Sequence, residues 1–328
     1  VSEAGKSKLF VSCDLVGSTQ FKQSRPGWQK VFLSFYREFP QFVARANLAA
    51  HGDEEGEPLA FHLWKAVGDE LIFEVHVRAE KDIGAAIRVW LHAMRAYEQE
   101  SLAEFGLALK GGAFVATFPG PDSESTIPRD PSYEDSDDPV VVLNEDALRG
   151  RRAHTKYLYD YFGPSIDTGF RVFGLSSRRY FTLSVEAGWA LASAAYAATG
   201  DKSDTDTHHV SDVVLHGTHT LKGVWAGREY PVFAIDRDHG DAVNVALAQL
   251  RAEEMTAHKV IEVCHACHAD PGWPSKLYLP ASANKAFWHE PDDAIKPLLE
   301  TETPRDVSDR ADSDGSQGQG LDESAPLS

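Results

Sequence analysis

Two aspartates stand where a chain could use them chemically. Asp14 closes the β-type apolar run Leu9-Phe10-Val11-Ser12-Cys13 and is followed by Leu15-Val16-Gly17-Ser18-Thr19. Asp69 sits in the tight Gly68-Asp69 turn between the strand-like runs ending in Trp64-Lys65-Ala66-Val67 and starting at Glu70-Leu71. A carboxylate at a strand end can hold a hard cation, and the backbone N–H groups that Gly17, Ser18 and Thr19 leave open can hold phosphate oxygens. Two aspartates at the tips of neighbouring strands are what a two-metal nucleotide site requires. The bland alternative for Asp14 is a residue that terminates or caps a strand. Lys65 taken alone reads as a solvated strand residue; its spacing to Asp69 is what draws it to the site.

The elements that must position these residues follow from periodicity. Residues 8–13 form the first expected strand. Trp28, Val31, Phe32, Phe35, Phe39, Phe42 and Val43 fall at helical spacing, a core-facing stripe that ends before His51-Gly52. Asp53–Glu57 is a polar loop, and Phe61–Val67 with Leu71–Val77 is a hairpin. A helix from Lys81 to Glu104 carries Ile83, Ile87, Trp90, Leu91, Met94 and Tyr97 on one side. Leu107–Phe118 returns as a strand whose Gly111-Gly112 marks a bulge or a close backbone approach. Pro119–Asp138 is acidic and rich in Pro and Ser, hence a long surface loop. Val140–Val142 and a basic patch (Arg149, Arg151, Arg152) precede Tyr159–Arg171, which reads as a loop feeding a helix. Phe181–Val185 is a strand, Ala187–Ala198 a helix, and Val213–His216 and Glu229–Ile235 are a closing strand pair around Gly217–Gly223. The order β-α-β-β-α-β with additions predicts an α+β, ferredoxin-like sandwich with helices on one face of a mainly antiparallel sheet.

Composition narrows the function classes. A chain of 328 residues with 42% hydrophobic residues and seven Trp can build a substantial core. The formal net charge of −18 argues against a general nucleic-acid surface, so phosphate binding must be local, through metal ions and a few placed cations. Three Cys exclude a disulfide scaffold. The start, Val1–Lys6, has no apolar leader run and no stretch reaches transmembrane length, so a soluble cytoplasmic protein with no direct membrane contact is expected.

Five motifs in order resemble the class III nucleotidyl cyclase catalytic domain over residues 8–236: Cys13–Thr19, Lys65–Asp69, Tyr159–Gly163, Gly163–Arg171 and Leu221-Lys222-Gly223. The resemblance implies that Asp14, the carbonyl of Leu15, and Asp69 hold two divalent cations, Mg²⁺ or Mn²⁺. It implies that Gly17, Ser18 and Thr19 contact phosphates, and that Lys65 and Asp160 read the base. Arg171 would stabilise charge at the α-phosphate, Lys222 would neutralise the leaving pyrophosphate, and Asp167 stands where the family's ribose-orienting Asn is expected. A carboxylate there accepts from a hydroxyl but cannot donate. The resemblance further implies a head-to-tail homodimer whose shared sites take metal residues from one chain and Arg171 and Asp160 from the other.

The pair Lys65 and Asp160 matches the residues with which adenylate cyclases read adenine, yet its hydrogen-bonding pattern suits cytosine and uracil as well. The acidic insertion, the Asp167–Arg171 helix start and the compact architecture resemble the pyrimidine cyclases of bacterial Pycsar anti-phage systems, whose cyclic nucleotide switches on a separate effector. Cyclic UMP from UTP is the first expectation, cyclic CMP the second and cyclic AMP the third; a catalytically degenerate nucleotide sensor is the rival reading. Single-residue alternatives remain: Asp160 paired with Arg151 or Arg152, Lys222 merely exposed, Arg171 in a surface ion pair.

The expected layout is a catalytic domain at 1–238, an extension at 239–300 and a disordered acidic tail at 301–328. Within the extension, Ala242–Ala257 reads as a helix. Cys264-His265-Ala266-Cys267-His268 matches the haem-attachment pattern and could also offer zinc ligands with His258, which would make a redox or metal-responsive adaptor. Its plain reading is a helix or loop with two small thiols and exposed imidazoles. Cys13 is expected to point into the core.

Overall fold

The structure, a computed structural model, describes residues 5–52, 58–133, 136–150, 156–197, 213–251 and 255–302. The expected loop at Asp53–Glu57, the basic residues Arg151 and Arg152, and the tail from 303 onward lie outside the described residues.

Strand β1 (Lys6–Val16) is the centre of the sheet. It is followed by α1 (Ser18–Ser24), α2 (Trp28–His51), β2 (Phe61–Val67), β3 (Glu70–Val77) and α3 (Glu80–Tyr97), then β4 (Ala108–Lys110) and β5 (Gly112–Phe118). Next come β6 (Ser123–Pro128), α4 (Val140–Arg149), β7 (Tyr157–Phe162), α5 (Pro164–Phe173), β8 (Tyr180–Leu183) and α6 (Val185–Ala197). The chain continues through β9 (Val213–Thr220), β10 (Glu229–Asp236), α7 (Ala242–Arg251), α8 (Ala257–His268) and α9 (Lys296–Glu302). The main sheet runs β2-β3-β1-β5-β8-β10-β9, with β4 also paired to β1. All of these pairings are antiparallel except β5 with β8. The α+β class and the β-α-β-β-α-β order are therefore as expected.

The chain forms two compact units, residues 1–124 with 160–293, and residues 125–159 with 294–328. In the second unit α4 packs with α9, and Asn144 Oδ1 accepts from the Thr126 N–H at 2.8 Å. All of the candidate site residues fall in the first unit.

Alternation along β1 divides the first unit into two cores. Leu9, Val11, Cys13 and Leu15 join the apolar stripes of α2, α3, α6 and α8 in the larger one. Phe10 faces the other way, stacked on Phe114 with ring centroids 4.8 Å apart, in a smaller core with Ile72, Ile166 and Phe173. Helix α5 thus covers the face opposite α2, α3, α6 and α8, so the expectation of helices on one face is corrected. Its Gly169 lets α5 lie against Phe114, where a Cβ would come within 2.2 Å of the ring.

Other corrections concern segments whose partners are far along the chain. The expected loop at 119–138 contains β6, a Ser/Thr-rich strand that pairs with β7. Tyr159–Phe162 belongs to β7 instead of a loop, as its run of aromatic residues suits a strand. The helix expected to end at Ala257 stops at Arg251, and α8 starts afresh after Thr256, whose Oγ1 accepts from the Lys259 N–H at 3.3 Å. Helix α3 changes to a π turn at Glu98–Leu102 and a 3₁₀ turn at Ala103–Phe105 before Gly106 ends it with φ +67°.

The expected close approach at Gly111 is present: a Cβ there would lie 2.0 Å from the Ser12 carbonyl oxygen. Backbone cannot give way as a side-chain tip can. Gly111→Ala is expected to destabilise the fold by about 3 kcal/mol, read as a lowered urea midpoint with an unchanged slope.

Candidate active site

Asp14 lies near the C-terminal end of β1, opposite Glu70 of β3 on one side and Lys110 of β4 on the other. Its alternation places it on the same sheet face as Phe10, half-buried. Lys110 Nζ sits 3.0 Å from Asp14 Oδ2. Asp69 occupies the tip of the β2–β3 hairpin, where Gly68 takes φ +63° to make the turn, and Lys22 Nζ of α1 stands 3.3 Å from Asp69 Oδ1. The two aspartate carboxyls are close enough to share a hydrogen bond and to shift each other's titration.

Their environments split them. Burial pushes the Asp14 carboxyl above its ordinary range, and the Asp69 charge adds to that push while Lys110 opposes it. Burial acts on Asp69 as well, but hydrogen bonds from Ser18 and Lys22 outweigh it and hold that carboxyl low. Glu70 is also raised, by burial first and then by the negative charge of Asp14 and Asp69. Carboxylates held against each other and only partly neutralised form a donor set for a hard divalent cation. Among the described residues no three His, Cys, Asp or Glu side chains gather as a metal-binding group, so a cation here would rest on these two carboxylates and backbone oxygen. Leu15, the expected carbonyl donor, is buried and pairs with Leu109.

Gly17 has φ +76° and starts α1. The Ser18 and Thr19 amides lie in the first turn of that helix, where N–H groups have no intrahelical partner. The Ser18 hydroxyl also reaches Asp69, so the Gly17–Thr19 turn and the second aspartate are physically tied.

A second set of contacts gathers the remaining candidates. Lys65 Nζ is 2.7 Å from Asp160 Oδ1, and Trp64 Nε1 donates to the same oxygen at 3.1 Å. The Lys65 ammonium lies 4.1 Å from the Trp64 ring centroid and 5.8 Å from that of Phe170. Phe170 precedes Arg171 on α5. Arg171 Nη1 donates to the Asp167 carbonyl at 2.5 Å, and its Nη2 would be 4.0 Å from a Cβ at Gly223. The guanidinium therefore approaches the turn that carries Lys222, a side chain that is itself exposed. Asp167 is exposed in the first turn of α5.

Several participants were not legible in advance. Lys110 and Lys22 reach the carboxylates from outside any motif, whereas Trp64 and Glu70 border the Lys65–Asp69 motif without being assigned a part. The signal for Lys110 was its place beside Gly111-Gly112, where β1 and β4 approach closely. The turn after Lys222 holds two non-glycine residues at positive φ, Trp225 at 46° and Ala226 at 51°, braced by the Trp225 Nε1 donation to Asp270 Oδ1 at 3.2 Å.

The Cys264–His268 segment follows its plain reading. It is part of α8 with both thiols buried, and His265 is exposed. The one departure is His268, mostly buried, whose Nε2 is 3.2 Å from Glu186 Oε1. Cys13 is wholly buried in the larger core, as expected.

No family model matches the chain, and no curated protein sequence matches it. Among solved structures, the adenylyl cyclase CyaB from P. aeruginosa is 12% identical, with 70% of this chain and 94% of that chain covered and a TM-score of 0.46. The guanylyl cyclase Cya2 is 14% identical over 70% and 92%, with a TM-score of 0.42. The guanylate cyclase domain of RhGC from Catenaria anguillulae, solved in complex with GTP, is 9% identical over 70% and 96%, with a TM-score of 0.43. No helix among the described residues is long and apolar enough to cross a membrane.

Two measurements follow from this geometry. Lys110→Ala removes the opposing cation, so the Asp14 carboxyl is expected to titrate at still higher pH, read by carboxyl NMR. Burial raises the thiols of Cys13, Cys264 and Cys267, so all three Cys are expected to resist Ellman's reagent at pH 8 in the folded protein and to react on unfolding.

Proposed function

We propose that this chain is a nucleotidyl cyclase that converts a nucleoside triphosphate, UTP first, into the 3′,5′-cyclic monophosphate and pyrophosphate. The observation that carries the reading is the convergence of Asp14 and Asp69 beside the Gly17–Thr19 turn. Asp14 and Asp69 with the Leu15 carbonyl would hold two divalent cations, Mg²⁺ or Mn²⁺, which supply charge neutralisation and acidify the ribose 3′-hydroxyl.

The rest is work for the chain's own side chains. The 3′-oxygen bonds to the α-phosphorus as the bond to the bridging oxygen of the leaving pyrophosphate breaks, and the hydroxyl proton passes to solvent. The protein's part is positioning and charge stabilisation. The amides of Gly17, Ser18 and Thr19 hold phosphate oxygens, Arg171 stabilises charge at the α-phosphate, and Lys222 neutralises the pyrophosphate. Asp167 accepts from a ribose hydroxyl. Lys65 and Asp160 meet the edge of the base.

In this reading the site is shared by two chains of a head-to-tail homodimer, with Asp14, Leu15 and Asp69 from one chain and Asp160 and Arg171 from its partner. For the base, the resemblance to the pyrimidine cyclases puts a pyrimidine first, with Trp64 and Phe170 as the aromatic neighbours of Lys65. Uracil offers N3–H to Asp160 and O4 to Lys65; CTP is the second choice and ATP the third. In this reading the cyclic nucleotide is a second messenger for a separate effector in anti-phage defence, as in the pyrimidine cyclases that the motifs resemble. The exposed Asp167, negative where phosphates would lie, favours one alternative: a nucleotide-binding sensor without turnover.

Incubation with each nucleoside triphosphate and Mn²⁺, followed by chromatography, is expected to yield cyclic UMP above the other products. Asp14→Ala and Asp69→Ala are each expected to lower turnover by about 10²- to 10³-fold. No cyclic product from any nucleotide would sink the cyclase reading, and equal rates with ATP would sink the pyrimidine preference.

A further inference from the structure

Helix α5 brings Asp167 and Arg171 to the site, yet the residue that opens it offers no side chain to its first amides. Gly163 is the N-cap, and no side-chain hydrogen bond comes from it. The cap comes instead from Asp122, in the turn after β5. Asp122 is wholly buried. Its Oδ1 accepts from the Ser165 N–H at 2.8 Å, and its Oδ2 accepts from the Thr117 N–H at 3.2 Å. The Asp122 N–H in turn donates to the Thr117 carbonyl at 3.2 Å. One carboxylate therefore spans the end of β5 and the first turn of α5. Gly163 allows the approach: at φ +142° a Cβ there would lie 2.4 Å from Asp122 Oδ1.

A charge is an expensive way to cap a helix. Ser or Asn caps as well without carrying a full charge out of water. Asp122 is held by the Ser165 hydroxyl and by the backbone amides of Ser165, Thr117 and Ile166, and burial pushes its carboxyl up to about 6. It remains charged at neutral pH at a cost to stability, because its folded pKa lies above its ordinary value. What the carboxylate provides, and a hydroxyl does not, is two acceptors that grip two elements at once.

We propose that Asp122 is a positioning residue for the reaction: by locking the start of α5 to the end of β5, it sets where Asp167 and Arg171 stand against the Lys222 turn. The proposal rests on the cyclase reading for its consequence, though not for the grip itself. Arg171 lies in the last turn of a ten-residue helix, so a tilt at the first turn is carried to the guanidinium.

The test is Asp122→Asn, which keeps one acceptor and loses both the charge and the two-amide grip. Turnover is expected to fall about 10- to 100-fold with the KM for the nucleotide within about twofold and the melting temperature unchanged or higher. Hydrogen exchange is expected to quicken in a peptide spanning residues 163–173 and not in β1 or β3. Asp122→Ser, a cap without the span, should show the same split. Unchanged turnover and exchange in Asp122→Asn would overturn the proposal, as would a loss of turnover matched by a fall in melting temperature. If the wild type cyclises no nucleotide, the cyclase reading fails by itself, and the exchange measurement still decides whether Asp122 holds α5.

Discussion

Two carboxylates brought together, one near the end of β1 and one at the tip of the β2–β3 hairpin, impose the constraint on which the remaining architecture depends. Asp14 and Asp69 repel, and burial penalises both, so each needs a cation delivered from a separate element: Lys110 from β4 and Lys22 from α1. The strand that carries Asp14 is paired along its length, with β3 on one side and β4 and β5 on the other. The far side of the same strand is fastened from beneath, where Trp90 Nε1 of α3 donates to the Ser12 carbonyl at 2.9 Å. Arg237 ties the β4 end down through the Leu109 carbonyl at 2.8 Å and Glu98 at 2.6 Å. A rigid strand at the centre is the means by which two like charges are kept at a fixed separation.

The opposite balance holds at the Lys65–Asp160 pair. Here unlike charges meet at the surface of the smaller core, with Trp64 and Tyr161 around them and Phe10 beneath. Solvent screens such a pair, and its contribution to folding is small. Its effect is to hold a donor and an acceptor side by side. The chain's net charge of −18 makes the placement of each lysine informative, because cations are scarce and three of them, Lys22, Lys65 and Lys110, are committed to these carboxylates.

Local pattern carried most of the first unit. The stripe from Trp28 to Val43, the Gly68-Asp69 turn and the paired glycines at 111–112 each follow from rules that operate within a few residues, and each element stands where its pattern puts it. Asp14 and Asp69 were legible for the same reason: each ends or joins a strand. What escaped was long-range. Nothing around Ser123–Pro128 announces a strand until β7 lies beside it, and nothing in Pro121-Asp122-Ser123 reveals that this aspartate is buried 43 residues away from the amide it caps. Lys110 and Lys22 gain meaning only when β4 and α1 bring them to carboxylates elsewhere in the chain. The cores hid α5 in the same way, since its amphipathic pattern does not say which face of the sheet it will cover.

Residues 257–293 have a practical consequence. Val260, Cys264, Cys267, Trp273, Leu277, Leu279 and Phe287 are all buried in the larger core, and Glu186 of α6 is satisfied by His268 and by Trp273 Nε1, the latter at 3.0 Å. A shortened expression product ending where the recognisable motifs stop, near Asp236, would leave Trp189 and Tyr230 facing water and a carboxylate stranded under α6. Among the described residues the minimal folding fragment is therefore set by Phe287, the last side chain to enter the interior, some fifty residues past Asp236.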